Sequence, residues 1–262
     1  MQTRLIGKIW RVIYPALVLF GTYLAVYIVA IMTYGSIFAG KYPDLESFMA
    51  DAGDIVSIAA LTIGAVIEFI FYRKDYPVEF KLLYESPKYI IFLIILAIAL
   101  SHGLNILVSL VNMTGVLGTY SQVQAGGDAL SIVTTVLKTV ILAPIAEELA
   151  FRGLVFRRME LYTSFWPAAL VSSLLFALYH MNLLQGVYAF LYGIMLCLVY
   201  RVFRNILATL IMHAAANAFT LIFIYLGLDY PGIPVYVTVM VAAFAISAVI
   251  YFLVVRKLSP RA

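Results

Sequence analysis

Residues 89–112 read YIIFLIILAIALSHGLNILVSLVN, without a single Asp, Glu, Lys or Arg. About 20 consecutive apolar residues suffice to cross the hydrocarbon core of a bilayer as a helix. A run this long and this free of charge therefore specifies a transmembrane span. Working outward, comparable runs occur at 12–33, 55–72, 131–156, 165–181, 184–203, 205–228 and 233–255. Together they predict an all-α polytopic membrane protein of about eight transmembrane helices. Turn signals such as Gly126-Gly127 and Pro231-Gly232 separate the runs. No long polar insert, low-complexity tract or repeat interrupts them, so residues 1–262 form one integral membrane domain.

The whole composition agrees. Of 262 residues, 65% are hydrophobic and 11% charged, with a mean hydropathy of +1.04. Soluble domains carry about 25% charged residues, and a soluble chain with so few charges would expose large apolar patches. The basic start, MQTRLIGKIWR, leads into a run too long for a signal peptide and without a small-residue cleavage site, which predicts an uncleaved first helix. Cys197, the single cysteine, lies within an apolar run and offers no intrachain disulfide.

The net charge of +4 belongs to short loops rather than to one basic face, so nucleic acid is not an expected partner. With the amino terminus inside, cytoplasmic segments hold Arg4, Lys8, Arg11, Arg73, Lys74, Lys81, Lys88, Arg152, Arg157, Arg158, Arg201, Arg204, Arg256, Lys257 and Arg261. Only Lys41, outside, and Lys138, within a span, fall elsewhere among the 17 basic residues. That alternation satisfies the positive-inside rule and predicts cytoplasmic termini, in the cell membrane if the source is prokaryotic.

Ionisable groups inside a bilayer cost several kcal/mol and mark function by default. Here they are Glu68, His102, Lys138, Glu147, Glu148, Arg152, His180 and His213, accompanied by Asn217. A polar packing network is the plain alternative for any one of them. Spacing singles out a subset. Glu148 and Arg152 stand i,i+4 in the favourable order, so the arginine can neutralise the acid. Glu147 is rotated about 100° away and has no partner on its own helix. Either it is protonated, or another helix supplies a hydrogen-bonding or cationic group. His213 and Asn217 share one helical face.

Counting helical rise from the nearest cytoplasmic marker puts Glu147 roughly 15 Å deep, His213 roughly 14 Å and His180 roughly 21 Å. A hairpin near Thr163-Ser164 would bring Glu147 and His180 level on adjacent helices. One buried polar cluster open to the cytoplasmic side is expected. A carboxylate there can act as a general base toward water, a histidine can orient that water, and a second His with Asn can donate to a developing oxyanion. Such a set makes a peptide or ester hydrolase. Neither HExxH nor GxSxG occurs. Glu147, His180 and His213 could alternatively supply three zinc ligands.

Three motifs in order complete the reading: Glu147-Glu148-Leu149-Ala150-Phe151-Arg152 (EExxxR), Phe176 to His180 (FxxxH) and His213 to Asn217 (HxxxN). With Tyr188-Ala189-Phe190 and Gly193 between them, this stretch resembles the CAAX protease and bacteriocin-processing family of intramembrane peptidases, the Abi or type II CAAX prenyl endopeptidases. The likeness covers about 140–218, within a core at about 131–228.

The resemblance implies that Glu147 activates water with His180, that His213 and Asn217 form the oxyanion hole, and that Glu148 and Arg152 hold the architecture. It implies a glutamate-type peptidase without an essential metal. The implied substrate is a prenylated CAAX terminus or another membrane-associated peptide. A non-catalytic scaffold or immunity protein would keep the same network. A proton-coupled transporter would too, although no inverted repeat is visible. Glu68 is expected to hydrogen-bond a neighbour rather than reach the cavity, and His102 to pack between helices; Lys138 could snorkel toward the outer face.

Overall fold

The computed structural model describes residues 2–76, 87–113 and 129–255. Helix α1 spans Gln2–Thr33 and runs on through a π turn at Tyr34–Phe38; α2 is Leu45–Asp75 and α3 is Pro87–Met113. Helix α4 is a continuous run over 129–160 containing two π-helical stretches, Leu137–Leu142 and Glu148–Phe156. Helix α5 is Phe165–Tyr179, α6 is Leu183–Phe203, α7 is Ile206–Tyr225, and α8 is Ile233–Ile250 with a π continuation through Val255.

These helices fall where the apolar runs place them, and no strand occurs among the described residues. The expected number of spans is not reached by length and composition. Six helices, α1 to α3 and α6 to α8, are long and apolar enough to cross a membrane. Helix α5, at 15 residues, is shorter than a full crossing. Helix α4 is divided by its π stretches and carries Lys138, Glu147, Glu148 and Arg152.

The turns follow their local chemistry. Asn182 and Asn205 cap α6 and α7 by accepting from the N–H groups of Gln185 and Leu207. The hairpin expected at Thr163-Ser164 joins α4 to α5, and Gly232, at φ 99°, makes the turn into α8.

Packing forms two side-by-side cores with a third at their base. In one, Leu93, Leu96, Ala97 and Leu100 of α3 meet Leu196, Met212 and Ile250. In the other, Val12, Ala16 and Leu19 of α1 and Leu61 and Ala65 of α2 cover Ala146, Ala150 and Phe151 of α4. Phe156, Phe165, Ala168, Tyr200 and Ile206 join α4 to α7 below them. Large apolar side chains such as Ile55, Val66, Ile91, Leu174 and Val249 face outward, as a lipid-facing surface requires.

Polar contacts fix the relative direction of the helices. At one pole the buried Arg158 guanidinium donates to Asp75 (2.6 Å), to the Arg11 carbonyl (2.7 Å) and to Tyr14 (2.8 Å). Arg204 pairs with Glu160 at 2.9 Å. The start of α1, the end of α2, the end of α4 and the α6–α7 turn therefore share a pole. Lys138 and Thr134 of α4 bind Asp54 of α2 away from it. The four segments at the shared pole are among those that the loop charges group together. Lys81, Arg256, Lys257, Arg261 and the Gly126-Gly127 breaker lie outside the described residues, as do the side chains of Arg4 and Lys88.

Candidate active site

The EExxxR segment sits where α4 is most enclosed: every residue of Glu148–Phe156 is buried. Arg152 Nη1 donates to Glu148 Oε1 at 2.8 Å, and both side chains are fully buried. The i,i+4 pair expected from the sequence is thus formed. The guanidinium carbon also lies 4.3 Å from the centre of the Phe176 ring, which adds a cation–π contact across to α5.

His213 of α7 completes this arrangement. Its Nδ1 is 2.8 Å from the same Glu148 Oε1. The carboxylate shared with Arg152 can only accept there, so Nδ1 carries the proton and Nε2 faces the other way. Nε2 lies 3.7 Å from Glu147 Oε2. The two adjacent glutamates therefore flank one imidazole, Glu148 orienting it and Glu147 facing its free edge. The partner missing from Glu147's own helix comes from α7.

His180 is the C-cap of α5, and its Nδ1 donates to the Phe176 carbonyl at 2.8 Å. Its Nε2 is therefore the nitrogen left for other chemistry. Glu147 and His180 line one cavity of about 350 Å³, together with Lys138, Tyr23, Tyr179 and Gln185. Asn217, one turn beyond His213, donates from Nδ2 to the Thr139 carbonyl at 2.8 Å. That carbonyl belongs to the π stretch of α4, where i→i+5 bonding alters the usual pairing of backbone groups. Among the described residues, the other amide N–H and the amide oxygen of Asn217 show no further hydrogen bond.

The structure thus gathers Glu147, Glu148, Arg152, His180, His213 and Asn217 into one region between α4, α5 and α7. Among the described residues no group of three or more His, Cys, Asp and Glu side chains is assembled as a metal site would require.

Phe176 and Gly193, named above only as motif residues, acquire definite contacts, whereas Tyr192, Tyr23 and Tyr179 carried no signal of their own in the sequence. Phe176 is the hub: its ring contacts Phe151, His180 and His213 with centroids at 5.1, 4.8 and 5.9 Å. Tyr192 donates to the Met212 carbonyl, fixing the backbone next to His213. Tyr23 and Tyr179, two of nineteen tyrosines, line the cavity. Gly193 leaves room for Arg152, because a Cβ there would stand 3.0 Å from Arg152 Nη2 and from Ser173 Oγ.

The remaining intramembrane polar residues divide differently from expectation. Glu68 is fully buried on α2 and does not line the cavity, yet neither carboxyl oxygen has a hydrogen-bond partner among the described residues. His102 behaves as a packing residue, hydrogen-bonded to Tyr230 and tilted against Phe223. Lys138 pairs with Asp54, away from the Arg158 pole, and lines the same cavity as Glu147.

Fold and site together define a polytopic all-α membrane protein with a buried, cavity-facing Glu/His cluster secured by a Glu–Arg pair. Residues 129–219 match the model of the Rce1-like family, described as type II CAAX prenyl endopeptidase Rce1-like. This is the family that the three motifs resemble, and the matched third of the chain contains every residue of the cluster. No curated protein and no solved structure matches the chain.

Proposed function

We propose that this protein is an intramembrane endopeptidase of the glutamate type. The observation that carries the reading is the placement of Glu147: it lines the cavity with His180, while His213 faces it from between the two glutamates. Water held by Glu147 and His180 attacks the scissile carbonyl carbon as Glu147 takes a water proton. The negative charge that develops on the carbonyl oxygen is met by the His213 ring, oriented by Glu148, and by the amide of Asn217. Collapse of the tetrahedral intermediate breaks the C–N bond, and the proton on Glu147 passes to the departing amine. Arg152 keeps Glu148 ionised so that it goes on orienting His213. The match to prenyl endopeptidases supports a membrane-associated peptide substrate, of which a prenylated CAAX terminus is the leading candidate.

The test is hydrolysis by the purified protein of a quenched prenylated CAAX peptide and of unprenylated membrane peptides. Glu147→Gln keeps size and hydrogen bonding but removes the base, and turnover is expected to fall by at least about 10²-fold. Equal cleavage by wild type and Glu147→Gln would discard the peptidase reading in favour of a scaffold. Activity lost on chelation and restored by zinc would replace water activation by Glu147 with a metal centre.

A further inference from the structure

A second cavity, of about 400 Å³, lies between α3, α7 and α8 and shares no lining residue with the one that holds Glu147. Helix α7 leaves the Arg158 pole at Ile206 and rises about 30 Å over its 20 residues. That rise matches the hydrocarbon thickness of a bilayer. The turn that follows α7 lines this cavity, so the cavity stands at the opposite membrane face, at the level of the lipid headgroups. Gly227, at φ 60°, and Gly232 fold the turn back against α3.

The walls are aromatic. Tyr236 meets Tyr230 edge to face with ring centres 5.2 Å apart, and Tyr230 lies 5.9 Å from Phe223. His102 lies 4.9 Å from Phe223 and is hydrogen-bonded to the Tyr230 hydroxyl. Asn105 donates to Thr220 at 3.0 Å. These bonds tie α3 to α7 and to the turn, so the rings are held in place before any ligand arrives.

The fixed charge of the lining, among the described residues, is Asp229. It accepts from the Tyr236 hydroxyl and from the Tyr230 N–H, the latter at 2.8 Å. The two bonds hold its carboxyl below the usual carboxylate range, so it is anionic at neutral pH. Both donors are neutral. Among the described residues no Lys or Arg lines the cavity to balance the charge. Asp229 is exposed, and a ligand reaches it without separating the helices.

A carboxylate beside several aromatic rings selects for a cation. A cation within about 6 Å of a ring centre is attracted by the ring quadrupole, and cages of this kind recognise quaternary ammonium groups. An anion would be repelled by Asp229, and a neutral apolar group would gain nothing from it.

We propose that this cavity binds an organic ammonium group, seated against Tyr230, Tyr236 and Phe223 with Asp229 as its counter-ion. The ammonium of a phospholipid headgroup and a free alkylammonium share that chemistry. The site is separate from the Glu147 cavity and does not depend on the peptidase reading.

The experiment uses the full chain in a maltoside detergent with labelled choline. The competitors are tetramethylammonium and the uncharged tert-butyl isostere of choline. Choline should bind saturably, tetramethylammonium should displace it, and the isostere should not. Asp229→Asn should weaken binding about tenfold, and Phe223→Leu about threefold. A second arm compares nanodiscs of phosphatidylcholine with nanodiscs of phosphatidylglycerol. The choline lipid should raise the melting temperature of wild type relative to the glycerol lipid, and Asp229→Asn should lose that difference. Binding of free choline assigns the site to soluble amines, and a headgroup effect without it assigns the site to lipid; either upholds the proposal. Absence of both overturns it, as does an isostere that competes as well as tetramethylammonium. A preference for the cation that is unchanged in folded Asp229→Asn overturns it too. Should Asp229→Asn not fold, Phe223→Leu decides: undiminished binding there overturns the cage, and the expected loss upholds it.

Discussion

At the scale of single residues, the site depends on one buried ion pair and the space made for it. Removing one member of such a pair leaves an uncompensated charge, and losses of about 3–5 kcal/mol are typical. Arg152→Met should therefore destabilise the protein by about that amount, read as a large drop in melting temperature in detergent. Arg152→Lys keeps the charge but not the planar group that both bonds Glu148 and lies on Phe176, so it should recover only part of the loss. A near-wild-type Arg152→Met would mean that the pair is not structurally required.

Gly193→Ala tests the same point from the other helix. Its Cβ needs the space of Arg152 Nη2 and Ser173 Oγ, and such overpacking costs typically about 1–3 kcal/mol. Gly21, whose added Cβ would meet nothing within 4 Å, is the control. Gly21→Ala should be stabilising by about 0.5–1 kcal/mol, as expected for glycine inside a helix.

At the scale of the element, helix ends and π stretches position the chemistry. Met181 adopts φ 53°, the left-handed region, immediately after His180. That one residue reverses the chain so that α6 returns beside α5 and His180 closes the cavity. The left-handed conformation costs a non-glycine residue about 1–2 kcal/mol. Met181→Gly should therefore keep or improve thermal stability, and Met181→Ile should lower it; the opposite order would show that the turn is not set by its backbone.

The start of α2 carries a pH dependence. Asp44 accepts the Ser47 N–H at 2.7 Å, and this backbone hydrogen bond holds its carboxyl below the usual carboxylate range. A depressed folded-state pKa means that the cap's contribution is fully present above the unfolded value of about 3.9. It is lost as pH falls through the lower folded value. The Ser47 amide resonance should report this titration in acid, and Asp44→Asn should abolish it.

At the scale of the whole molecule, the helix order, the hairpin between α4 and α5 and the common pole of the basic loops were legible in the sequence. Each rests on a strong local rule: apolar length, turn residues, and the location of Arg and Lys. The cluster's membership was legible as well, since Glu148–Arg152 and His213–Asn217 are spacings within one helix. The number of spans was less so. Apolar length counts a run without registering that α4 is divided by π stretches or that α5 stops at 15 residues. The surroundings of Glu68 and Lys138 were not legible, because the partner of a buried charge is chosen by whichever helix packs beside it. For Lys138 that helix brings Asp54, and for Glu68 no hydrogen-bond partner is brought among the described residues.

The sequence alone therefore determined a membrane protein built of helices, with its acids and histidines at comparable depth, because hydropathy and helical periodicity act over a few neighbouring residues. Only the tertiary structure decided how those residues divide their work. Glu148, not Glu147, takes both Arg152 and His213 Nδ1, Asn217 spends one N–H on Thr139, and Lys138 turns into the cavity. These outcomes depend on rotation about each helix axis and on contacts between segments as much as 84 residues apart. Helical spacing within one segment does not carry that information.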